Sequence, residues 1–143
     1  MYVVLIALFV AFLWGIQPLV QKNLLKNINF KIIMIVGGMF YAGALLLFSV
    51  YNWKSVKKDM YALSTKSVAM IGITSIACAF IANLLYLYIL KDHKSYVISA
   101  LIYSSPLFTL LLAHAITGEN INVTSICGVL LIVAGVFVLS TVK

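Results

Sequence analysis

The sequence predicts an all-α membrane protein, a bundle of five transmembrane helices, and three observations carry that prediction. The 143 residues are 64% hydrophobic and 9% charged, whereas soluble domains carry roughly 25% charged residues. Five apolar runs approach the roughly 20 residues that a helix needs to cross a bilayer. The gaps between them are short and polar, too short for a soluble catalytic domain. The runs are continuously apolar and do not alternate, which argues against a transmembrane β-barrel. In lipid the backbone must satisfy itself, so the runs are helices.

Charge is consistent with this. The net charge of +7 arises from ten basic residues, all lysine, against the three acids Asp59, Asp92 and Glu119. The acids and nearly all the lysines lie in the polar gaps. Nucleic-acid binding would gather the basic residues on one folded face, so no nucleic-acid partner is expected. The absence of Arg removes the planar clamp that holds a carboxylate bidentately. Cys78 and Cys127 sit within apolar runs and read as small hydrophobes, so neither a disulfide nor a metal site is implied. No cofactor is expected. The N-terminal run lacks a basic n-region and a small-residue cleavage site, and is too long for a signal peptide. It reads as the first span.

The first run, Tyr2–Val20, carries Trp14, Gly15, Gln17 and Pro18, with Gln21 and Lys22 following. Pro18 lacks a backbone donor and loosens the preceding turn. This polar, kinked end suits either a cavity wall or an interfacial helix end with a snorkelling lysine. The second run, Ile32–Tyr51, contains Gly37, Gly38, Ala42 and Gly43, small residues that let helices approach closely. Trp53, beside Tyr51 and Lys54, reads as an interface anchor. The lysines after it read as a loop facing lipid headgroups.

In the third run, Val68–Leu90, Asn83 is costly to leave unpaired in a span and should face the bundle interior. Tyr86, three residues on, shares its face. The pair either lines a polar cavity or bonds a neighbouring helix. Asp92 is then placed to cap the start of the fourth run. That run, Tyr96–Ile116, puts Ser99, Tyr103 and Pro106 on one stripe, with Ser104, Ser105 and Thr109 close by. Pro106 frees a carbonyl near Ile102, which neighbouring hydroxyls can re-satisfy. A polar groove is the functional reading and a kinked packing helix the structural one. His114, near the end of the run, reads as an interfacial histidine. In the fifth run, Val123–Ser140, Gly128 and Gly135 share a face suited to helix packing or a dimer seam. Glu119 favours the positive end of that helix, and Asn122 can cap it.

Together these residues resemble the EamA-like branch of the drug/metabolite transporter superfamily, across nearly the whole chain. The likeness rests on Trp14-Gly15 with Pro18 and Lys22, Leu85-Tyr86-Leu87-Tyr88 with Leu90-Lys91, and Ser104-Ser105-Pro106-Leu107-Phe108. It continues through Gly118-Glu119 and Gly128 to Val136. The resemblance implies a carrier of small solutes, often an exporter. The five helices would then be one half-repeat of a ten-helix transporter, with a cavity lined by helices one, three and four and with helix five peripheral. Trp14, Gln17, Asn83, Tyr86, Ser99, Tyr103, Ser105 and Pro106 are its expected lining. Two departures stand out: helix two lacks the basic residue that many relatives carry, and Ala113-His114-Ala115 replaces a more aliphatic stretch.

Inverted repeats with the site at their interface are the usual way to enclose a two-sided path. A single repeat is therefore expected to pair with a second, antiparallel copy as a homodimer in the bilayer. Lysine placement fits dual topology, or equally a single orientation fixed by a partner. Lys54, Lys57, Lys58 and Lys66 lie on the N-terminal side, against Lys22, Lys26, Lys31, Lys91, Lys94 and Lys143 on the other, a weak bias under the positive-inside rule. No Asp or Glu lies within a span, so a carboxylate-based proton exchange is not expected. The expected location is the plasma (cell inner) membrane as a multi-pass protein. The alternatives are a non-transporting accessory subunit or half of a heterodimeric carrier. No nucleophile–base pair or metal cluster appears on any face, so an enzyme is not expected.

Overall fold

Helix ends in this chain follow polar caps more closely than hydropathy. The computed structural model describes residues 2–141. It contains five helices long and apolar enough to cross a membrane: Tyr2–Leu24, Phe30–Tyr51, Thr65–Leu90, Ser95–Thr117 and Val123–Ser140, here spans one to five. No strand occurs among the described residues. Span two begins where Asn29 Oδ1 accepts from Lys31 N at 3.0 Å. Span three begins where Ser64 Oγ accepts from Ser67 N at 3.1 Å. Span five begins where Asn122 Oδ1 accepts from Ser125 N at 2.7 Å. Each cap meets a donor that the first helical turn leaves without a partner. The first four spans accordingly extend a few residues beyond their apolar runs. Span one continues through Pro18 to Leu24, and Pro18 is its one buried residue. Lys143, counted above, lies outside the described residues.

Three local expectations give way. The second gap is not a loop but a ten-residue helix, Trp53–Ala62, here the interfacial helix. Asn52 both ends span two and starts this helix: its N–H bonds Phe48 O at 3.0 Å, and its own carbonyl accepts from Ser55 N and Val56 N at 3.0 Å each. Asp92 does not cap span four, whose N-cap is Lys94. Glu119 lies outside the first turn of span five, where Asn122 is the cap.

The chain forms two compact units, residues 2–20 with 92–141, and Gln21–Lys91. In the second unit, span two packs against the Ala82–Leu90 part of span three. Leu87 and Leu90 are fully buried there, Leu25 nearly so, and the Phe30 ring meets Tyr88 edge-on at 5.8 Å. In the first unit, span five packs against both helical parts of span four, and Ile98 is buried. Val129, Val133 and Val136 are half-buried, at the i, i+4, i+7 spacing that marks one helix face.

Candidate functional site

Span three changes its winding just before its polar pair. Ser75–Ile81 is a π-helical segment, closed by the Ala82 N–H bonding Ala77 O, and regular helix resumes from Ala82 to Leu90. A π turn widens the helix, turns the residues that follow it about the axis, and is often found at functional sites. Asn83 and Tyr86 come directly after it, and both are half-buried. Among the described residues the Asn83 side chain makes no hydrogen bond. A buried amide left without partners costs about 1–3 kcal/mol, so its position between burial and exposure leaves it open to a water or a polar solute.

The same unit holds a polar node at the end of span three. Lys22 Nζ donates to Leu90 O at 2.9 Å and to Lys91 O at 2.7 Å. These are terminal carbonyls at the negative end of a helix, where a cation is favoured. Lys22 is thus a cap for a different span, beyond both roles the sequence offered it. Beside it in sequence, Gln21 Oε1 is buried and meets no donor among the described residues.

Span four is interrupted. It runs as helix over Ser95–Ile102, breaks at Tyr103 and Ser104, resumes as Ser105–Leu112 and ends in a π turn, Ala113–Thr117. Pro106 sits in the first turn of the resumed helix, where a missing N–H breaks no helical bond. The hydroxyl expected to serve the carbonyl of Ile102 serves another: Ser104 Oγ donates to Leu101 O at 2.6 Å. Thr109 Oγ1 donates to Ser105 O at 3.2 Å. The break interrupts the Ser99–Tyr103–Pro106 stripe. Ser99 and Pro106 are half-buried, whereas Tyr103 and Ser105 are exposed.

At the end of this span the corner is pinned by its own backbone. Gly118 has φ 69°, the left-handed conformation that only Gly adopts at little cost. Its N–H bonds His114 O at 3.2 Å, and Glu119 N–H bonds Ala113 O at 3.4 Å. His114 Nδ1 lies 3.1 Å from Glu119 O. A carbonyl only accepts, so Nδ1 carries the proton of this bond.

Trp14, Gln17, Ser99, Tyr103, Ser105 and Pro106 therefore belong to one unit, and Asn83 and Tyr86 to the other. Trp14 and Gln17 are exposed on span one. Gly128 and Gly135 are also exposed, and a Cβ built on either meets nothing within 4 Å among the described residues. Sequence reasoning passed over the valine stripe of span five because all its neighbours are aliphatic too. It passed over the π segments because nothing in SIACAFI or AHAIT distinguishes them from α-helix.

A family model described as the EamA-like transporter family matches residues 1–141. Among curated proteins and solved structures, nothing matches the chain.

Proposed function

The chain belongs to the EamA-like transporter family, and we propose that it exports a small organic metabolite or drug-like solute, working as an antiparallel dimer. It is a multi-pass membrane protein of the drug/metabolite transporter type. The family match over residues 1–141 is the observation that carries the reading. Placement in the plasma membrane, the direction of transport and the dimer are our inference.

Three features support it. Five spans provide one repeat, and a path with access from both sides is commonly built where inverted repeats meet. The described lysines divide four to five between the two sides (Lys54, Lys57, Lys58 and Lys66 against Lys22, Lys26, Lys31, Lys91 and Lys94), too even to fix one orientation. Asn83, half-buried and without a side-chain hydrogen bond among the described residues, follows a π segment, and Ser99, Tyr103 and Ser105 surround a helix break. Both arrangements hold polar groups ready for a solute at points where the backbone departs from regular helix. The solute-binding groups proposed are Trp14, Gln17, Ser99, Tyr103, Ser105 and Pro106 in the one unit and, separately, Asn83 and Tyr86 in the other.

The test is flux in proteoliposomes, with ethidium and a panel of labelled amino acids as probes. Asn83→Leu, Tyr103→Phe and Ser105→Ala remove hydrogen-bonding groups with little change in size. Each lost bond to a solute is expected to slow flux by about tenfold, while helicity and oligomeric state persist. An accessory subunit would give parent and variants the flux of empty vesicles.

A further inference from the structure

The helix between spans two and three has no room to leave the membrane surface. Only Asn52 separates Trp53 from the end of span two, and only Leu63 and Ser64 separate Ala62 from span three. Asn52 is tied down by its side chain as well, Nδ2 donating to Phe48 O at 3.0 Å. Ser64 caps the next span. Ten residues at about 1.5 Å each therefore lie at the boundary where the spans emerge.

Its sequence is built for that boundary. Trp53, Val56 and Met60 recur at i, i+3, i+7 and form an apolar stripe. Trp53 and Met60 are exposed and Val56 is half-buried, so most of the stripe is left uncovered by the described residues. Lys57 borders the stripe, and Lys54 and Lys58 lie further round on the same flank, all three exposed. Ser55 and Asp59 take the opposite flank, where Ser55 Oγ donates to Asp59 Oδ2 at 3.3 Å. Lys66, exposed in the first turn of span three, adds a further cation. From Trp53 to Lys66 there are four lysines and one acid. An apolar stripe edged by lysines, held in the interface plane, matches a layer with acyl chains below and anionic headgroups above.

We propose that the interfacial helix is a binding surface for anionic phospholipids, with Lys54, Lys57 and Lys58 on the headgroup phosphates and Trp53, Val56 and Met60 in the acyl boundary. Charge complementarity selects this occupant: the apolar stripe suits any lipid, but the lysine flank favours a negatively charged one. Asp59 limits the attraction from the far side.

The full chain is placed in nanodiscs of phosphatidylcholine containing a minor fraction of phosphatidylglycerol, and the lipid retained after detergent extraction is quantified. The expected result is enrichment of phosphatidylglycerol, falling about fivefold for each lysine removed in Lys54→Gln, Lys57→Gln and Lys58→Gln. The three Lys→Arg changes together keep the charge and are expected to keep the enrichment, which separates lost binding from lost folding. Asp59→Asn is expected to strengthen it. Equal enrichment in parent and Gln variants overturns the proposal. So does full displacement of the lipid by millimolar inorganic phosphate, which would mark a free-anion site, or dependence of retention on a co-purifying acidic protein.

Discussion

Lys22 joins the ends of two spans that are far apart in sequence, through the carbonyls of Leu90 and Lys91. Within lipid, apolar side chains gain little by meeting one another, so packing detail and hydrogen bonds decide how helices associate. A charged donor shared between two terminal carbonyls is therefore a substantial tie. Lys22→Met keeps the apolar stem and loses the donor. It is expected to lower stability by about 1–2 kcal/mol, read as an earlier thermal unfolding transition in detergent, and Lys22→Arg to recover most of the loss. An unchanged transition in Lys22→Met would show that the bonds carry no weight. The sequence marked Lys22 as polar at the end of an apolar run. It could not show the cap, because the acceptors belong to another helix and carbonyls leave no trace in residue type. Asp92 failed as a cap for a related reason: Lys94, not Asp92, occupies the N-cap position of span four.

At the scale of elements, the length of the apolar runs located all five spans, since length and hydropathy are what a bilayer selects. Three kinds of feature escaped it. The interfacial helix was hidden because its stripe is only three residues long and is interrupted by lysines and an aspartate. The π segments Ser75–Ile81 and Ala113–Thr117 depend on how neighbouring turns pack rather than on local propensity. The break in span four was legible from Pro106, but its place at Tyr103–Ser104 was not. Pro106→Ala restores a backbone donor and removes the ring. Spin labels at the exposed Tyr96 and Leu111 should then move apart, toward the roughly 22 Å that fifteen residues of straight helix span. An unchanged distance would mean that Ser104 and the packing of span five, not the proline, hold the break. If the hydroxyls around the break serve a solute, flux through the straightened variant falls along with it.

For the molecule as a whole, membrane class and family were both legible. Composition excluded a soluble surface, and the ordered motifs from Trp14 to Val136 pointed to the family that matches residues 1–141. The lining residues were a harder matter, because the eight named positions divide between the two compact units. Span two has no buried residue, and a Cβ built on Gly128 or Gly135 meets nothing within 4 Å among the described residues, beside the stripe of Val129, Val133 and Val136. Surfaces so smooth and uncovered suit lipid or a second copy, and in our reading span five supplies a seam between inverted protomers.

Orientation tests that reading most directly. In a chain with Cys78→Ala and Cys127→Ala, single cysteines are placed at Asn27, between spans one and two, and at Ala62, on the interfacial helix. Intact cells are treated with a membrane-impermeant maleimide. An antiparallel homodimer requires both orientations, so each site should label from outside in roughly half of the molecules. Complete labelling of one site with none at the other would fix a single topology and contradict the antiparallel homodimer.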